Sequence, residues 1–206
     1  MTTRNVRIAA GMFALGAVFL GVYARSYPAD TTPEGAYLRM AKHLELSQPQ
    51  VVFSYLEVAA RDATYAMART RTESLAVVRK NFPADEVLVF TEKYGAIAVG
   101  DNGPQAFARY AEARGWVAHL TKGLSPIEHV ENDGELATVV TATGGRYVFH
   151  RDPDGRYGLT FFTAELVAQA QQALRDREVI LRSGVDYERR RQGEKEGEKP
   201  GPHQAP

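Results

Sequence analysis

Cysteine is missing from all 206 residues. That rules out disulfides, thiol nucleophiles, thiolate metal sites and the lipid-bearing cysteine of a lipoprotein signal. Net charge is missing as well, because 25 Lys and Arg offset 25 Asp and Glu. No basic block interrupts the body of the chain, so nucleic-acid binding has no electrostatic footprint. No HExxH, His-x-His or GxSxG occurs, and His119, His129 and His150 are too scattered for a metal site. Gly144-Gly145 and the stretch Gly100 to Gly103 lack the Lys-Ser/Thr and the strand–loop–helix setting of a phosphate cradle, and read as turns. Neither a metal nor a cofactor is expected.

What the chain does have is an uncharged run of 17 residues from Ile8 to Ala24, with Arg4 and Arg7 before it and Arg25 after it. At about 1.5 Å rise per residue this reaches about 26 Å, the short end of a spanning helix. A signal peptide cut near Ala24 is the competing reading, but the run is long for a cleavable core, so an uncleaved anchor is expected. The arginine bias puts the N-terminus in the cytoplasm and the remaining chain in the periplasm, on a bacterial-type inner membrane. Ala10, Gly11, Ala14 and Ala17 are small residues at spacings that admit helix–helix packing, and hence a homodimer. Three regions follow: 1–31 as anchor and tether, 32–183 as a folded domain, and 184–206 as a charged, disordered tail that cannot offset its ordering entropy by burial.

The domain opens with helical signals. Thr32 caps, Pro33 takes the first helical position, and Tyr37, Met40, Ala41 and Leu44 recur at helical spacing. A second helical stretch starts near Val51, breaks around Ala60 to Asp62, and ends at Asn81-Phe82-Pro83. Glu86 to Phe90 fits either a strand or a helix carrying Val87, Phe90 and Tyr94 on one face, and the helix is preferred. Pro104 opens another helix that ends at Gly115. The second half alternates differently. Leu136 to Thr143, Arg146 to Arg151 and Tyr157 to Phe162 are β-branched or aromatic runs separated by glycine turns, which is the pattern of an antiparallel meander. Tyr147 and Phe149 share one face, and Tyr157, Leu159 and Phe161 another. Thr163 caps a last helix with an apolar stripe through Leu181. The expected class is α+β: N-terminal helices on a curved antiparallel sheet, then one C-terminal helix.

The opening PEGAYLRMAKHLELSQPQVVFSYLEVAARDATYA and the run GELATVVTATGGRYVFHRDPDGRYGLTFF resemble the helices and paired strands of the cone-shaped NTF2-like superfamily over about 32–162. The resemblance implies a cone whose interior could hold a pocket. Asp62, in a helix beside apolar neighbours, is the one catalytic candidate, as a general acid aimed into that cone; a helix cap or surface charge is the alternative. Trp116 could plug the sheet's open end, lie at an interface or pack in the core. With an anchor, balanced charge and no nucleophile motif, the expected function is a membrane-tethered, non-catalytic assembly module. It would bind another envelope or membrane protein and contact lipid through residues 8–24. A small NTF2-like enzyme or ligand-binding pocket protein is the alternative.

Overall fold

The computed structural model of the protein describes residues 28–197. Helix α1, Pro33–Glu45, starts as its sequence dictates: the Thr32 hydroxyl accepts from the Gly35 amide at 3.1 Å, and Pro33 occupies a position whose amide would be orphaned. Its buried stripe is Ala36, Tyr37, Met40 and Leu44. A short helix, α2 (Pro49–Val52), runs into a 3-10 turn at Phe53–Tyr55. Helix α3 then extends unbroken over Val58–Asn81. The break expected at Ala60 to Asp62 falls instead just before α3, where Leu56 is extended and bridges Leu159. Tertiary pairing of Leu56 with the sheet, not local propensity, sets that boundary.

Helices α4 (Ala84–Tyr94), α5 (Gly103–Ala113) and α6 (Trp116–Lys122) follow. The ambiguous 86–90 segment is therefore helical, and Val87 and Phe90 join Tyr94 in a small apolar cluster. Gly115, at φ 68°, makes the left-handed corner between α5 and α6 that a side chain would oppose.

Strands β1 (Ile127–Asp133), β2 (Leu136–Thr141), β3 (Arg146–Arg151) and β4 (Tyr157–Leu159) form one antiparallel sheet in the order β1-β2-β3-β4. The register pairs Val139 with Tyr147 and Phe149 with both Ala137 and Leu159. Tyr147 and Phe149 face the core, as their alternation requires. β4 stops at Leu159, so the parity expected to carry Phe161 inward is lost: Phe162 is buried and Phe161 is exposed.

The last helix, α7, spans Thr163–Gly197 and packs along α3. It continues past the boundary placed at Ser183. Gly184 lies against Val77 and Asn81, and Tyr187 packs on Phe82 with ring centroids 5.0 Å apart. Two cores result. The larger joins α1, α3, α5, the inner sheet face and the start of α7; the smaller is an all-helical arm of Leu75, Val78, Tyr94 and Ile180.

Two expectations are corrected. The sheet is an open meander whose edge strands β1 and β4 do not meet, so it is not the curled sheet of an NTF2-like cone. The physical reason is supply: residues 84–122, which would have to provide further strands, are spent on α4, α5 and α6. The second correction concerns the membrane. The run 8–24, with its proposed cleavage near Ala24, lies outside the described residues. Among the described residues no helix is long and apolar enough to cross a membrane. α3 and α7 have the length, but α3 carries Arg61, Asp62, Arg69, Arg71 and Glu73 through its middle, and α7 is charged throughout. The single-pass inner-membrane topology, the periplasmic placement and the membrane-tethered assembly role have no support in the fold and are set aside.

Candidate functional site

A cleft of about 380 Å³ opens between the end of α6, the β2–β3 turn and Phe161. Its floor is a tightly pinned seam. The Tyr147 hydroxyl donates to the Leu120 carbonyl at 2.9 Å, and Thr141 Oγ1 donates to the Gly123 carbonyl at 3.2 Å. Nearby, the Thr143 amide donates to Ser125 Oγ at 3.1 Å, while Tyr37 Oη donates to the Ser125 carbonyl at 2.8 Å. These bonds hold the chain after α6 against the turn. Gly123 and Gly145 permit the approach: a Cβ at Gly123 would stand 2.7 Å from the Tyr147 hydroxyl.

Burial, assisted by the neighbouring Tyr37, pushes the Tyr147 phenol up to about 12. Burial also raises Tyr37, with a smaller contribution from Glu45, against a lowering by its bond to Ser125. Both hydroxyls therefore stay protonated at neutral pH and serve as structural donors, not as bases.

The walls differ in character from the floor. His119 and Lys122 are three residues apart on α6, hence neighbours on one helical face. Both are exposed. Lys122 makes no ion pair with any described residue. The His119 ring lies 5.3 Å from the exposed Phe161 ring, tilted by 33°. Arg146 completes the rim, but its guanidinium is held by Glu131 at 2.6 and 3.3 Å. That pairing is fully exposed; the Arg146 hydrogen bond, helped by His129, lowers the Glu131 carboxyl. Among the described residues no Asp or Glu lines the cleft. The result is a pinned floor beneath a cationic, partly aromatic mouth.

Phe161 stands between two anchored neighbours. On one side, the Thr160 amide and hydroxyl both donate to the Val148 carbonyl, at 3.0 and 3.2 Å. On the other, Phe162 stacks on Trp116 with centroids 4.1 Å apart and planes 12° from parallel. Trp116 is thus packed against the core beneath this wall, rather than plugging a sheet end.

The sequence candidates are dispersed. Asp62 is exposed on the first turns of α3 and does not line the cleft. Two tyrosines whose hydroxyls could have served a site are placed elsewhere: Tyr65 packs edge-on to Phe53, and Tyr94 donates to Asp176 at 3.0 Å. His129 contacts Glu131 at 3.4 Å on the outer sheet face. His150 sits between Glu57 and Glu135, at 3.5 and 3.6 Å, with the Thr163 hydroxyl also bonded to Glu57. This cluster ties β3 to the starts of α3 and α7, and the cleft does not reach it. Among the described residues no group of three or more His, Asp or Glu could hold a metal ion.

Lys122 and Phe161 were not legible as site residues. Lys122 reads as an ordinary last-turn cation, and Phe161 as a core position of a strand. The available hint was a basic residue beside glycine in HLTKG, together with TGGR some twenty residues on. Only the seam shows that these meet.

No protein-family model, curated protein or solved structure matches the chain.

Proposed function

We propose that this is a small-ligand-binding domain whose α6 cleft takes an oxyanion, and that it binds without turning its ligand over. The observation that carries this reading is the Lys122 ammonium, which pairs with no described residue, beside His119 in a cleft lined by no carboxylate of the described residues. An ammonium with nothing to neutralise it favours an anionic ligand, and a floor of fixed donors keeps the walls in place before the ligand arrives. Tyr147, the phenol that lines the cleft, is held protonated and committed to the Leu120 carbonyl, so it offers no base, which favours binding without chemistry.

Trp116, the single tryptophan, lies under the Phe161 wall and reports on it. Titration of the full chain with inorganic phosphate, followed by tryptophan fluorescence, is expected to give a saturable change that Lys122→Gln abolishes. Lys122 is exposed, so the variant should melt as the parent does. A linear, non-saturating response, or an unaltered titration in Lys122→Gln, would rule the reading out.

A further inference from the structure

We infer that the anion taken by the α6 cleft carries a planar aromatic ring, seated on Phe161 while its oxyanion meets Lys122; this rests on the binding reading above. Phe161 is 49 % exposed. A single exposed ring on a surface needs no explanation. This one is different in how it is held and where it faces. Both of its chain neighbours are tied down, Thr160 by its paired donations to Val148 and Phe162 by stacking on Trp116. An exposed ring on a rigid mount loses little further freedom on binding, so a ligand stacked there avoids much of the usual ordering cost.

The second element is His119. Its ring stands 5.3 Å from Phe161 at a tilt of 33°, so the two rings already touch and together form one aromatic surface beside the cleft. Flat groups prefer offset or tilted contact with such faces, at centroid separations of about 4.5–7 Å. The third element is spacing. Lys122 follows His119 by one helical turn, which puts their Cβ atoms about 5–6 Å apart. That is the scale separating a ring from a carboxylate or phosphate attached through one or two atoms. Aromatic wall and ammonium are therefore matched to the two ends of one small molecule. The Gly144-Gly145 turn, with no side chain to intrude, leaves the opposite wall open to it.

An aliphatic anion would also bury surface against Phe161, but would gain nothing from the ring faces. Carboxylate and phosphate heads share the chemistry Lys122 selects, so both are tested. Calorimetric titration of the full chain would compare phenylacetate with cyclohexylacetate, and phenyl phosphate with cyclohexyl phosphate. The expected result is about fivefold tighter binding of each aromatic member. Phe161→Leu should erase that preference, so that the aromatic and aliphatic members of each pair bind alike, and Phe161→Trp should keep it. Whichever head group binds more tightly identifies the oxyanion. Equal affinities within each pair, or a preference that survives in Phe161→Leu, would overturn the aromatic inference while the phosphate response still upheld the cleft. Loss of the phosphate response itself would bring down both. Melting curves of the exposed-residue variants guard against misreading a folding defect.

Discussion

Gly145 stands so close to Gly123 that a Cβ built on it would lie 2.7 Å from the Gly123 carbonyl oxygen. The same Cβ would meet Thr141 Oγ1 at 2.8 Å and the Tyr147 ring at 3.2 Å. The seam beneath the cleft thus depends on one missing methyl group. Gly145→Ala should cost about 1–3 kcal/mol through overpacking, since backbone and a buried ring cannot step aside. It should also weaken phosphate binding by shifting the end of α6. Chemical denaturation and the fluorescence titration test this together. A neutral melt with unaltered binding would show that the seam relaxes freely. Gly144→Ala is the useful contrast: its added Cβ meets nothing, but its φ of 80° strains the backbone.

The elements were legible where periodicity was strong and local. The Thr32-Pro33 start of α1 and the inward Tyr147 and Phe149 follow from patterns within a few residues; Thr163, expected as a cap, is instead the first residue of α7 and gives its hydroxyl to Glu57. What escaped was set by distant partners. Leu56 leaves the helix because Leu159 pairs with it, and Phe161 turns outward because β4 stops after three residues. The end of α7 carries few apolar residues, and is ordered by Phe82 and Glu86, which lie about a hundred residues earlier. A cone looked plausible because a helical opening and paired strands are shared by many α+β folds. The number of strands decides between them, and 84–122 gave none. The cleft was the least legible feature, since His119, Lys122 and Phe161 converge only through the glycine seam.

Arg71 and Asp176 join α3 to α7 through a 2.6 Å ion pair, with side chains 7 % and 21 % exposed. Tyr94 and Gln172 also donate to this carboxylate, and the Arg71 guanidinium lies 3.9 Å above the Tyr94 ring. Burial alone would raise the Asp176 carboxyl, but the donations from Arg71, Gln172 and Tyr94 outweigh it and hold the carboxyl below its ordinary 3.8. A depressed folded value stabilises above the unfolded pKa and loses that effect as pH falls through the folded one. Stability should therefore decline below about pH 4, and part of that decline should vanish in Asp176→Asn. At neutral pH Asp176→Asn should cost about 3 kcal/mol by stranding a buried guanidinium, whereas the double change Arg71→Met with Asp176→Leu should cost much less. Urea midpoints across pH would decide it; an acid limb of the same slope in Asp176→Asn would contradict the assignment.

At the alkaline end the sign reverses. Tyr147 is raised to about 12 in the folded protein, against an unfolded value of 10.0. Its contribution is complete below pH 10 and is lost as pH rises towards 12, because only the unfolded chain ionises readily in that window. Tyr147→Phe should flatten this alkaline loss. It also removes the bond to the Leu120 carbonyl, so its neutral-pH stability should fall by about 1 kcal/mol. A difference ultraviolet titration would show one tyrosine fewer ionising late.

The far part of α7 makes the last case. Its sequence after Ser183 is rich in charge and poor in apolar residues, and alone would not be expected to hold structure. Tyr187 changes that. Its ring packs on Phe82, its hydroxyl bonds Glu86, and Arg191 reaches the Lys80 carbonyl at 3.4 Å. Phe82 in turn meets Phe90 edge-on at 5.5 Å, and Phe90 meets Tyr94 at 5.8 Å. A chain of rings thus links the tail to α4 and to the Asp176 network. Local contacts of this kind set the opening free energy of a cooperative unit, which can be well below that of the whole domain. Deleting 184–206 should consequently loosen the helical arm more than the sheet. Amides of α4 and of the last turns of α3 should exchange faster, while those of β2 and β3 keep their protection. Tyr187→Ala should reproduce most of that pattern and Tyr187→Phe little of it, since the ring stacking persists. The global melting temperature should fall by only a few degrees, because the arm is a minor part of the buried core. Exchange rates in α4 unchanged by the deletion would mean that the ring chain carries no coupling, and that the arm is held by Leu75, Val78 and Ile180 alone.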